Sequence, residues 1–189
     1  MHGKIFVLTG PSGVGKTTVA EKLREAIPNL KRLVTCTTRE PREGEVDGVH
    51  YHFLNKDAFM GLVASGELFE WDEHYGHLYG SRTSDVDALV AEGGATLIVI
   101  DVNGTKTIKQ HRPDAITLFL TAESKEVLIE RIKSRGKWTE KDLQQRFEEL
   151  NQEMTFADAA DYVIENPEGK LLETVEKIRQ IFEEEMAKS

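Results

Sequence analysis

The stretch GPSGVGKT, Gly10–Thr17, limits what this chain can fold into more than any other part of it. It fits the spacing G-x-x-x-x-G-K-[ST]. The apolar run Lys4–Thr9 precedes it, and Thr17–Ile27 follows with helical periodicity as far as Pro28–Asn29. Glycines let the backbone turn tightly, so that successive N–H groups face a phosphate chain, and the dipole of the following helix adds positive potential there. Lys16 then reaches the β- and γ-phosphates, and the Thr17 hydroxyl sits at Mg²⁺. A purely structural turn explains Gly10 but not Lys16 and Thr17 at this spacing.

The remaining pattern is α/β. The runs Ala95–Ile100 and Ala115–Leu120 are almost continuously apolar, as expected of parallel strands covered on both faces. A further strand is expected over Arg32–Thr35 and a last short one over Tyr162–Ile164, with helices near Ser84–Ala91, Lys125–Ser134 and Leu171–Met186. Between Thr37 and Arg82 the pattern changes to short alternating pieces, Val49–Leu54 and Leu68–Asp72, around a helix near Asp57–Ser65. This predicts a small mixed subdomain inserted into a larger parallel sheet. Sites in such sheets lie beyond the carboxyl ends of the strands. Asp101 follows one of those ends, where it could reach Mg²⁺ directly or through water, orient a second substrate, or cap the turn toward Gly104.

Charge narrows the ligand. With 24 Lys and Arg against 33 Asp and Glu, the net charge is -9, which argues against a general electrostatic grip on nucleic acid or an anionic membrane. Any anion must be held locally. In TTREPREGEVDG, Arg39 and Arg42 flank Pro41, which restricts the backbone and lowers the ordering cost of the segment. The planar fork of arginine suits phosphate oxygens, and Tyr51 and Tyr79 offer further donors. Glu70, in LFEW, could accept from a ring N–H and an exocyclic amine together, or be an exposed strand glutamate. The single cysteine, Cys36, excludes an internal disulfide, and the histidines lack the spacing of a zinc site. No run approaches the roughly 20 apolar residues of a membrane span, and a cytoplasmic setting is expected.

Taken together, GPSGVGKTT, TTREPREGEVDGVHYHF, ELFEW, YGHLYGS, IDVNG and RIKSRGKWTEKDLQQRFEEL resemble the guanylate kinase family over almost the whole chain. The resemblance implies a P-loop NTPase-type parallel sheet flanked by helices, with an inserted mixed α/β GMP-binding subdomain and a helical lid. It divides the chain into a core (1–35, 84–130 and 148–189), the subdomain (36–83) and the lid (131–147). It implies ATP against Gly10, Pro11, Ser12, Gly13, Val14, Gly15, Lys16, Thr17, Thr18, Arg131, Arg135 and Asn166. GMP is implied against Thr35, Arg39, Arg42, Tyr51, Glu70, Tyr79, Ser81, Asp101 and Arg146. Lys16, Arg39, Arg135 and Arg146 would carry catalysis, with Mg²⁺ at Thr17 and at Asp101 if that carboxylate reaches it. Four places depart from the family pattern: Thr35 stands for serine, Val99 for the first aspartate of D-I-D, NPEG for the usual acidic pair after Asn166, and Trp138 is unusual in the lid, where it reads as a packing residue.

The expected reaction is ATP + GMP = ADP + GDP, by a monomer or homodimer without a nucleic-acid or membrane partner. Two alternatives remain at this stage: a related P-loop kinase with another phosphorylated acceptor, and a noncatalytic interaction module, against which the intact Gly10–Thr17 stands. An acceptor phosphate with its second ionisation near about pH 6 needs no dedicated general base. It needs positive charge, and the arginines fall in two separate regions, so closure around the substrates is expected.

Overall fold

The computed structural model describes residues 3–74, 76–134 and 138–188. Five parallel strands form the main sheet: β1 (Lys4–Thr9), β2 (Lys31–Arg32), β7 (Ala95–Val99), β8 (Ile116–Thr121) and β9 (Tyr162–Glu165), in the order β2-β7-β1-β8-β9. β1 is central because its side chains are apolar on both faces. Phe6 and Leu8 join a core with the helices α1 (Lys16–Ala26) and α7 (Leu171–Ala187), whereas Ile5 and Val7 join one with α3 (Thr83–Ala91) and α4 (Val102–His111). The Phe6 ring stacks on Phe182 of α7 with centroids 3.8 Å apart. The result is a sheet between two helical layers.

Of the strand expected over Arg32–Thr35, only Arg32 lies in one. Lys31 and Arg32 pair with β7, and Leu33 still donates to the Leu97 carbonyl at 2.9 Å. The chain then leaves the parallel sheet and enters a second one as β3 (Cys36–Thr37). With β4 (His52–Phe53), β5 (Leu68–His74) and β6 (His77–Arg82), β3 forms a mixed sheet in the order β4-β3-β6-β5. The helix α2 (Lys56–Ala64) covers it, placing Phe59 against Cys36 and Leu78 in a small separate core. β6 escapes a reading by alternation because Gly80 interrupts it; a Cβ there would lie 2.8 Å from the Glu70 carbonyl oxygen and 3.1 Å from the Phe59 ring.

Two helices differ from the sequence expectation. The segment after Asp101 is a full helix, α4, although VNGTKTIKQH holds glycine and threonines of low helix propensity. Its start is secured by the Asp101 carboxylate, which accepts from the Gly104 N–H at 2.8 Å. After α5 (Lys125–Ser134), the helix α6 (Glu140–Met154) runs for 15 residues from a capping box between Thr139 and Asp142. Its far end packs Met154, with Phe156 of the following 3-10 turn, against Val102 and Phe119. Because Phe182 seals one face of the central strand, Phe182→Ala should destabilise the protein by about 3–5 kcal/mol. Urea unfolding followed by circular dichroism checks this as a lowered midpoint.

Candidate active site

Gly10 begins the turn after β1 with φ 138°, and a Cβ at this position would lie 2.3 Å from the Leu120 carbonyl oxygen. Only glycine fits so close an approach of the loop to β8. Gly15 (φ 99°) is the N-cap of α1, with no side chain to bond the first-turn N–H groups. The starts of α2, α4 and α6 are closed by Asn55, Asp101 and Thr139, whereas α1, like α3 and α7, has no side-chain cap. An uncapped helix start next to a lysine has the chemistry to hold an anion. Lys16 Nζ donates to the carbonyl oxygens of Gly10 (2.5 Å) and Pro11 (3.1 Å), folded along the loop it serves. Asn166 braces the loop from behind: its side-chain N–H donates to the Val14 carbonyl at 2.9 Å.

This loop opens into a cleft of about 1040 Å³, whose opposite wall comes from the second sheet. Arg39 enters it from the turn after β3. Its Nη2 donates to both carboxylate oxygens of Glu45 at 2.9 Å, Nη1 donates to the Glu40 carbonyl at 2.6 Å, and the guanidinium lies 5.5 Å from the Tyr51 ring centre. The same Glu45 carboxylate accepts from the Arg42 N–H at 2.7 Å. Burial disfavours charge on both partners, but the Arg39 and Arg42 contacts outweigh it and hold the Glu45 carboxyl below its ordinary range. Tyr51 and Tyr79 meet edge to face, 6.3 Å between ring centres, beside this pair.

Deeper in the cleft, Glu70 on β5 is only 5% exposed. Its Oε1 accepts from the Ser81 hydroxyl at 2.6 Å, and Oε2 lies where a Cβ on Gly104 would come within 2.8 Å. Burial, with the charges of Asp101 and Asp72, pushes its carboxyl up to about 7 against the pull of the Ser81 hydrogen bond. Glu70 is therefore a buried carboxyl facing a cleft, not an exposed strand residue. Thr35 is buried at the same wall, and Val99 and Asp101 line the floor. Asp101 both caps α4 and faces the cleft, so the two sequence readings of it are compatible.

The fourth side comes from the α5–α6 region. Trp138 and Arg146 line the cleft there, with the guanidinium 3.8 Å from the indole ring centre. Arg131 instead lies beside Gly13 of the loop and pairs with Glu123 at 3.7 Å; like Gly10, Pro11, Val14, Ser81 and Asn166, it does not line the cleft. Arg135 falls outside the described residues. Two further carboxylates were not singled out from sequence. Glu45 is one; its six-residue spacing from Arg39 in a turn is the signal that could have found it. Glu153, at the end of α6 and 7% exposed, accepts from the Ser12 N–H at 3.3 Å, a contact across 141 residues that no local pattern announces.

Thr17 and Asp101 share the cleft, and no three histidine, cysteine or acidic side chains gather into a metal-holding group among the described residues. One hydroxyl and one carboxylate fit a Mg²⁺ that arrives with a nucleotide and takes its other ligands from phosphate and water. Such a fold, with an open P-loop facing a second cation-lined wall, defines a P-loop nucleoside monophosphate kinase. The family model described as guanylate kinase matches residues 2–185, and the chain belongs to that family. It is 40% identical over 165 residues to a guanylate kinase of Synechococcus, covering 87% of this chain and 76% of that one. To the guanylate kinase of Desulfitobacterium hafniense it is 34% identical, covering 96% and 90%. The crystal structure of guanylate kinase from Anaplasma phagocytophilum superposes with a TM-score of 0.77 at 30% identity, over 97% of this chain and 86% of that one.

The raised Glu70 carboxyl has a consequence for stability. Its folded value of about 7 lies above the ordinary 4.5, so the folded state holds the proton more tightly. The contribution is full below pH 4.5 and is lost as pH rises through about 7. Thermal melts of the ligand-free protein between these limits should show Glu70→Gln gaining stability relative to wild type as pH rises. A difference that does not change with pH would contradict the buried, protonated state.

Proposed function

We propose that this chain transfers the γ-phosphoryl group of ATP to the phosphate of GMP, releasing ADP and GDP. The observation that carries the reading is the pair of facing sites in one cleft: an open helix start with Lys16 on one wall, and Arg39, Tyr51 and Glu70 on the other. The segment 36–83 would act as the GMP-binding subdomain and 131–147 as the lid, on a core of 1–35, 84–130 and 148–189. The acting unit would be a monomer or homodimer in the cytoplasm. No described helix is long and apolar enough to cross a membrane.

In this mechanism the N–H groups of the loop from Gly13 to Thr18, with Lys16, hold the donor phosphates in line with the acceptor. Mg²⁺, held at Thr17 and Asp101, would supply positive charge to the donor phosphate oxygens. Arg39 and Arg42, with the phenols of Tyr51 and Tyr79, would hold the acceptor phosphate; Glu45 sets the first two before substrate arrives. Glu70, oriented by Ser81, would accept from the ring N–H and exocyclic amine of guanine, with Thr35 supplying a hydroxyl. Guanine and not adenine presents that pair of donors, so the buried carboxylate selects the acceptor. Arg146, with Arg131 and Arg135, would neutralise the charge shared between the two phosphate chains and exclude water on closing.

Two experiments test this. A panel of nucleoside monophosphates with ATP and Mg²⁺ should show GMP as the preferred acceptor, and Lys16→Ala should nearly abolish transfer while remaining folded. Comparable turnover by folded Lys16→Ala, or preference for another base, would sink the assignment. Glu45→Gln should raise KM for GMP roughly tenfold by removing a charge-assisted clamp, with a smaller effect on KM for ATP. Steady-state kinetics with each nucleotide varied in turn decides between that and a general loss of structure, which would affect both.

A further inference from the structure

Trp138 is not on a lid helix but just before one. It stands between α5 and Thr139, the N-cap of α6. Two contacts determine where its ring lies. The indole Nε1–H donates to the Ile132 carbonyl at 2.9 Å, in the last turn of α5, where helix carbonyls lack intrahelical partners. The ring face receives the Arg146 guanidinium at 3.8 Å, well inside the range of a cation–π contact. Arg146 sits in the second turn of α6, so the contact joins the two helices across their connection. Both side chains line the cleft, so the stack lies at the nucleotide site and not on the outer surface.

We infer that Trp138 is a positioning residue for Arg146: the indole, pinned to the end of α5, holds the guanidinium at the cleft before the nucleotides arrive. A long arginine side chain otherwise samples many rotamers, and that freedom is lost when it grips a phosphate. Stacking removes part of that cost in advance, because it engages the face of a guanidinium whereas phosphate is gripped along its edge. The inference rests on the proposed role of Arg146 in phosphoryl transfer and adds Trp138 to it.

The test is a double-mutant cycle in the full chain, read in kcat with KM for GMP measured alongside. Trp138→Leu should lower kcat on the order of tenfold, the effect of losing a partly desolvated cation–π contact, with KM for GMP changed less than about twofold. Trp138→Phe, which keeps a ring face but loses the N–H, should recover much of the rate. In the Arg146→Ala background the Trp138→Leu substitution should cost nothing further. Equal losses in both backgrounds would overturn the inference, because a merely structural tryptophan acts additively. Wild-type kcat in Trp138→Leu beside a crippled Arg146→Ala would overturn the positioning role alone. A fully active Arg146→Ala would overturn that role and the reading of Arg146 together. A spectroscopic readout is independent of activity: in Trp71→Phe, where Trp138 is the sole tryptophan, adding Arg146→Ala should shift the emission without any nucleotide, and an unchanged spectrum would disprove the stack.

Discussion

The open start of α1 is the constraint on which the rest of the structure depends. Helix N-termini present N–H groups without partners, which a capping side chain, water or a ligand can satisfy. Here Gly15 cannot, and the loop before it is pressed so close to β8 that Gly10 has no room for a Cβ. An arrangement of that kind needs a rigid base. It has one in β1, the middle strand, which is sealed on one face by α1 and α7 and on the other by α3 and α4. Asn166, at the end of the edge strand β9, ties the loop to the far side of the sheet through Val14. In the proposed function the stability of the core is thus directed at holding a backbone turn that a phosphate, and not the protein, would complete.

The second site is built on a different physical basis. Its cations are prepared by carboxylates of the same protein, as Glu45 does for Arg39 and for the backbone of Arg42. Holding an arginine with a glutamate costs some of its attraction for phosphate but removes its freedom before binding. Glu70 shows the complementary device. A carboxyl buried beside Asp101 and Asp72 is proton-hungry in the empty cleft, and a base offering two N–H donors can meet its acceptor oxygens. In the proposed function the acidic chain would thus handle phosphates with a few cations of fixed direction, and select a base with an anion.

Much of this was readable from residues. The P-loop spacing, the strands β1, β7 and β8 and the helices α1, α5 and α7 carry strong local signals, because apolar runs and glycine turns declare themselves within a short window. Of the strand expected over Arg32–Thr35 only Arg32 is in one, since the chain changes sheets after Leu33 and no local pattern marks a change of partner. β6 and α4 were obscured by glycine at Gly80 and Gly104, which are small because Glu70 and Phe59 press on them. Glu70 itself remained ambiguous from sequence: whether a strand glutamate faces water or a cleft depends on what lies over it, here Ser81 and Gly104.

What the sequence by itself determined is the chemistry of the parts: a phosphate loop, a mixed insertion carrying Arg39 and Arg42, and the membership of a kinase family that these motifs identify. These follow from local rules of turn, period and charge, which act over a few residues. Only the tertiary structure decided how the parts address one another. Glu45 clamps Arg39, Glu153 reaches the Ser12 N–H from the far end of α6, and Arg146 rests on Trp138 at the cleft. Those contacts depend on distances and burial set by packing between elements remote in the chain, and burial is what turns Glu70 from an ordinary carboxylate into one with a value near 7.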